Sequence, residues 1–158
     1  MGDQNTEQSL LVYSDGGSRG NPGPAGIGFV VYAVPVAEST SIQTVEPIHE
    51  EGKTIGVSTN NTAEYEALLA GMRWVVEYVS KNTTLHFGVV VFHLDSELVV
   101  RQILGVYKAK QPSTQKYLQL VKEQITALGM PVKFVHVPRD QNSVADSLVN
   151  QALDSAQM

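Results

Sequence analysis

Val89-Val90-Val91-Phe92-His93-Leu94-Asp95 is an almost unbroken apolar, β-branched run that ends on a carboxylate. Such a run suits a strand buried on both faces, as in the interior of a partly parallel sheet covered by helices. Ser96 follows at once as a helix cap, with a short helix predicted to about Leu104. A doubly buried strand needs neighbours and covering helices, and both can be read on either side of it.

Upstream, Ala67, Leu68, Gly71, Met72, Val75, Val76 and Val79 recur at helical spacing over 61–80, with Asn60, Asn61 or Thr62 available as N-cap. Before that helix, Leu10-Leu11-Val12-Tyr13-Ser14-Asp15 reads as a strand running into a glycine-rich turn over 16–28. A second β-rich run covers 27–35. Residues 36–53 read as a long hairpin connection to a third strand near 53–58.

Downstream, 105–112 is a loop, 113–128 a helix ending at Gly129, 132–137 a strand and 143–156 a final helix. The order is βββαβααβα, an α/β chain without repeats. One domain is predicted over 9–156, behind a loose polar tail at 1–8.

Composition narrows the possibilities. Of 158 residues, 42% are hydrophobic and 17% charged, the balance of a soluble globular protein. No run approaches the roughly 18 uncharged apolar residues of a membrane span. Met1-Gly2-Asp3-Gln4 has neither the basic nor the apolar region of a secretory signal, and the absence of cysteine excludes disulfides and thiolate metal sites. A cytoplasmic monomer is the expectation. The net charge of −5 has the wrong sign for gripping nucleic acid over the whole surface, so any such grip must be local.

Four carboxylates occupy notable positions. Steps of 4, 3 and 4 residues from Glu64 reach Leu68, Gly71 and Val75, so Glu64 begins the apolar stripe of its helix. A buried carboxylate must be paired, hydrogen-bonded or metal-bound; the alternative is an N-terminal Glu that complements the helix dipole. Asp15 shares a strand face with Leu11 and Tyr13 and precedes glycines that allow close approach, although it could simply initiate a turn. Asp95 lies at a strand's carboxyl end, where ligands of open α/β sheets bind, or caps the next helix. Asp146 shares a helix face with Val149 and Leu153, or is an ordinary half-buried residue. If the four converge, such hard oxygen ligands suit Mg²⁺ or Mn²⁺ rather than zinc, and two such ions suit phosphodiester hydrolysis.

The segment Asp15-Gly-Gly-Ser-Arg-Gly-Asn-Pro-Gly-Pro-Ala-Gly26 is neither a P-loop nor a dinucleotide-binding turn nor an EF-hand. Together with TNNTAEYEAL at 59–68, LDSELVVRQILGVYKAK at 94–110 and VPRDQNSVADSLVNQAL at 137–153, the YSDGGSRGNPGPAGIG of 13–28 resembles a type 1 ribonuclease H. The likeness runs nearly from Leu11 to Leu153.

That resemblance implies a ribonuclease H-like fold with a five-stranded mixed sheet flanked by helices. It implies cleavage of the RNA strand of an RNA/DNA hybrid by two metal ions, Mg²⁺ or Mn²⁺, leaving 5′-phosphate and 3′-hydroxyl ends. Asp15, Glu64, Asp95 and Asp146 match the family's metal-binding acids. Substrate contacts are implied at Gly16, Gly17, Ser18, Asn21, Thr59, Asn60 and Asn61, and Glu64 would accept a hydrogen bond from the ribose 2′-hydroxyl.

Three departures stand out. Glu97 replaces a Gln found in many bacterial members, and a carboxylate cannot donate as an amide does. The stretch 137–145 lacks the family's loop histidine; Arg139 there can bind phosphate but hardly shuttle protons, which leaves His136 and His93 as fallbacks. The basic insertion that serves some members as a hybrid-binding handle is missing, with Lys108 and Lys110, then Lys116, Lys122 and Arg101, as the nearest substitute. Weak, salt-sensitive substrate binding follows. Competing readings are a related nuclease acting on double-stranded RNA or at RNA–DNA junctions, a non-catalytic hybrid-binding module, and an actin-like ATPase, which would need two domains.

Overall fold

The computed structural model describes residues 7–36 and 45–157. Its strands are β1 (Glu7–Ser18), β2 (Gly23–Pro35), β3 (His49–Ser58), β4 (His86–Leu94) and β5 (Val132–His136). The helices are α1 (Asn60–Lys81), α2 (Glu97–Ile103), α3 (Pro112–Leu128) and α4 (Ser143–Ala156), with a 3₁₀ turn at Arg139–Gln141 just before α4.

The strands form one mixed sheet in the order β3-β2-β1-β4-β5. Neighbours of β1 run antiparallel (β2) and parallel (β4), and β4 pairs parallel with β5. This is the βββαβααβα order and the five-stranded mixed sheet expected above. The 89–95 run is, as read, an interior strand: Val90, Phe92 and Leu94 are fully buried.

Alternation along the strands divides the residues between two layers. Leu10 and Val12 of β1, Phe29 and Val31 of β2, and Val90, Phe92 and Leu94 of β4 pack with Leu68, Leu69, Met72 and Val75 of α1 and with Val121 and Leu128 of α3. Each fully buried Leu or Met side chain in that layer contributes about 1.5–3 kcal/mol. Helix α4 covers the opposite face over β1, β2 and β3, burying Ala145, Val149 and Leu153. No described helix is long and apolar enough to cross a membrane.

The glycine-rich segment differs from the turn predicted at 16–28. Gly16, Gly17 and Ser18 continue β1 opposite Ile27, Gly26 and Ala25, so only 19–22 form the turn. These glycines serve helix approach. A Cβ on Gly16 would lie 2.1 Å from the Ala63 carbonyl oxygen of α1, and one on Gly28 would lie 2.6 Å from the Ala145 carbonyl oxygen of α4. Side chains there would push away the two helices that carry Glu64 and Asp146.

Other boundaries move for physical reasons. β1 begins at Glu7 and pairs Gln8 with Pro35, so two residues assigned to the tail belong to the sheet, while 1–6 lie outside the described residues. β3 starts at His49, inside the predicted 36–53 connection, whose residues 37–44 lie outside those described. As an edge strand carrying Glu50, Glu51 and Lys53, β3 lacks the apolar signature of an interior strand. Thr59, not Asn60, Asn61 or Thr62, caps α1, its hydroxyl accepting the Thr62 N–H at 3.2 Å.

Candidate active site

β1 and β4 are parallel neighbours with Ser14 opposite Leu94, so the next residues, Asp15 and Asp95, follow where the pairing of the two strands ends. The close approach at Gly16 brings the first turns of α1, and hence Glu64, to the same edge. The approach at Gly28 does this for the first turn of α4, which holds Asp146. The end of the β1–β4 pairing and two helix starts thus meet around one open cavity of about 500 Å³, which all four carboxylates line.

Asp15, Glu64 and Asp95 each offer an oxygen within 4.8 Å of the others. Asp146 is half-buried and stands outside that trio; its backbone carbonyl and Oδ2 face the Asn150 amide at 3.1 and 3.4 Å. Asp15 is 8% exposed and Glu64 6%. The ion pairs of the described residues leave out all four.

Crowding like charges out of water favours protonation. Burial, followed by the charges of Asp95 and Asp146, pushes Asp15 up to about 7, even though the neighbouring Glu64 carboxyl opposes the rise. Glu64 is raised well above the usual carboxylate range by burial first, then by the adjacent Asp15 carboxyl and its charge; the Gly16 N–H pulls the other way. That N–H donates to Glu64 Oε1 at 2.9 Å, whereas the buried Oε2 faces no donor. An all-oxygen cluster with an orphaned buried oxygen and no paired cation fits a divalent metal ion.

Of the residues for which the resemblance implies substrate contacts, Gly16, Gly17, Ser18, Asn60, Asn61 and Arg139 line the same cavity. Asn60 Oδ1 accepts the Ser18 N–H at 2.9 Å and its hydroxyl at 3.2 Å. Asn21 and Thr59 stand behind this lip: Asn21 Oδ1 accepts the Asn60 N–H at 3.0 Å, and Thr59 caps the helix. Glu97, Lys108 and Lys110 lie outside the cavity. Glu97 is exposed, 3.3 Å from Arg101, and Lys108 lines a separate cavity between α3 and the loop after α2. His93 stacks on Tyr13 at 4.0 Å with Nδ1 3.0 Å from the Val12 carbonyl, and burial lowers its pKa. Neither His93 nor the exposed His136 lines the cavity.

Sequence reasoning missed Arg19, Ser96, Asn142 and Asn150. Arg19 lines the cavity, tied to α4 through Asp154 at 2.7 Å and to Gln157 just beyond the helix at 3.1 Å. Ser96 and Asn150 also line it. Buried Asn142 donates to Asp95 Oδ2 at 3.0 Å. Asn142 and Asn150 lie in the 137–153 motif, but only the folded chain turns their amides toward carboxylates.

A family model described as reverse transcriptase-like matches residues 48–152, more than half of the chain. Ribonuclease HI of Halobacterium salinarum is 36% identical over 92% of this chain, and bifunctional protein Rv2228c of Mycobacterium tuberculosis is 35% identical over 93%. The chain spans 64% and 36% of the lengths of these two relatives. Among solved structures, LC11-RNase H1 in complex with an RNA/DNA hybrid superposes with a TM-score of 0.78 at 38% identity, over 94% of this chain and 99% of that one. LC11-RNase H1 comes from compost by a metagenomic approach. Near-complete coverage of a 38% identical ribonuclease H1, on the same five-stranded sheet, shows that the chain belongs to the type 1 ribonuclease H family.

Proposed function

We propose that this chain is an endoribonuclease that hydrolyses the RNA strand of RNA/DNA hybrids with two divalent ions, Mg²⁺ or Mn²⁺, leaving 5′-phosphate and 3′-hydroxyl ends. The observation that carries the reading is the trio of carboxylate oxygens within 4.8 Å, beside an unpartnered buried Glu64 Oε2. The hybrid-bound LC11 relative supports the choice of substrate.

Asp15, Glu64, Asp95 and Asp146 would hold the ions. When bound, such a pair supplies an activated water and stabilises charge on the leaving oxygen. The chain's own groups position the substrate. Gly16 fixes Glu64 through Oε1, which leaves Oε2 for an ion or for a ribose 2′-hydroxyl, the group that marks RNA. Gly17, Asn60 and Asn61 offer backbone and amide donors on one side of the cavity, in a shape that Ser18, Asn21 and Thr59 maintain.

Arg139 lies on the cavity wall, where its guanidinium would bind phosphate. Glu97, Lys108 and Lys110 would meet the duplex beyond the cavity. With so few cations on an acidic monomer, binding weakens as salt rises.

One sequence prepared as RNA/DNA, RNA/RNA, DNA/DNA and an RNA–DNA junction tests the reading in Mg²⁺ and in Mn²⁺. The RNA of the hybrid should be cut and the other duplexes left intact, with Asp146→Asn slower by roughly 100-fold or more. Cutting of RNA/RNA would replace hybrid specificity with that of a related nuclease. An uncut hybrid under both metals would leave only a binding module.

A further inference from the structure

Asn142 precedes α4, and asparagine is among the best helix caps because its side-chain oxygen accepts an N–H of the first turn. Here it does not cap. With φ at −121° and ψ at 26°, its side chain makes no bond to the helix it introduces. Nδ2 donates instead to the Ser14 carbonyl at 2.8 Å and to Asp95 Oδ2 at 3.0 Å. The residue is 1% exposed, and its buried Oδ1 has no partner among the described residues.

Forgoing the cap and stranding an acceptor both cost stability. The return is orientation. Both amide protons go to the place where the β1–β4 pairing ends, one to Ser14 beside Asp15 and one to Asp95, so one rotamer fixes the Asp95 carboxylate relative to the strand that carries Asp15. The Asn142 carbonyl also accepts the Asp146 N–H at 3.1 Å, which ties the fourth carboxylate to the same residue.

We propose that Asn142 is a positioning residue of the metal site, holding Asp95 and the start of α4 in the arrangement a divalent cation requires. The inference rests on the metal site proposed above and adds a residue to it. Asn142 touches a ligand rather than the substrate, and loss of such a supporting contact typically weakens metal affinity or activity 10- to 100-fold.

Full-length Asn142→Leu and Asn142→Ser test this. Leu keeps the branching and the number of side-chain heavy atoms, with more bulk, and removes both donors together with the stranded acceptor; Ser keeps one donor. Mn²⁺ binding is measured by calorimetry, unfolding in EDTA by melting, and hybrid cleavage across a Mg²⁺ titration. Asn142→Leu should bind Mn²⁺ about 10-fold more weakly and need about 10-fold more Mg²⁺ for half-maximal cleavage, with KM for the hybrid changed less than about 2-fold. Asn142→Ser should fall between, and it alone decides if the Leu variant does not fold. Mn²⁺ affinity equal to wild type in the folded variants, even with a lower Tm, would make Asn142 a structural clamp only and overturn the proposal. A wild type that binds no Mn²⁺ would instead contradict the metal site itself, and this inference with it.

Discussion

Glu64→Gln is expected to make the metal-free protein more stable while abolishing its cleavage of hybrid. Glu64 is 6% exposed and lies against Asp15 and Asp95, so burial and like charge both oppose its ionisation. The amide has the same shape. Its carbonyl still accepts the Gly16 N–H now bound to Oε1, and its NH₂ donates toward Asp15 with no charge to desolvate. Relief of that strain should add about 1–2 kcal/mol in EDTA at pH 8, or several degrees in Tm. Losing an anionic ligand should lower turnover by on the order of 10²-fold or more. Thermal unfolding and initial rates in Mg²⁺ measure the two effects. A stabilised variant that keeps its activity would make Glu64 a mere helix-start residue, and a destabilised one would mean that the cluster is satisfied without a cation.

The second large effect joins pH to metal. Asp15 is raised in the folded state from 3.8 to about 7, so the native protein binds more protons than the unfolded chain between those values. Stability from this group is therefore complete below about pH 4 and declines as pH rises to about 7, by on the order of 4 kcal/mol, with Glu64 acting in the same direction. A divalent ion binds the deprotonated cluster and reverses the penalty, and it stabilises the native state by mass action. Hence the rise in Tm on adding 10 mM Mg²⁺, taken here as roughly tenfold above the dissociation constant, should be several degrees at pH 8 and close to nothing at pH 5. An equal rise at both pH values would show that Mg²⁺ acts elsewhere.

How much of this was legible beforehand depended on the kind of signal. The interior strand at 89–95 and the amphipathic helix over 61–80 carry their own periodicity; the helix agrees to one residue at each end, whereas β4 begins three residues before the run, at His86. Helical phase alone turned Glu64 inward. The edge strand β3 was shortened because its charged residues suit solvent on one side, and Gly16–Ser18 read as a turn because glycine's use in helix packing leaves the same mark as its use in loops. Asp146 was placed at the cavity, but its distance from the tighter trio depends on how α4 docks. Asn142 was invisible for a related reason: an Asn before a helix reads as a cap, and only tertiary contacts show it donating to Asp95.

End chemistry on an RNA strand cut within a hybrid separates attack by an activated water from attack by the ribose's own 2′-hydroxyl. With Mg²⁺ present, every product should carry a 5′-phosphate or a 3′-hydroxyl at the cut, and EDTA should stop the reaction. Products ending in a 2′,3′-cyclic phosphate, or cutting that persists in EDTA, would contradict hydrolysis at a metal site built from Asp15, Glu64, Asp95 and Asp146.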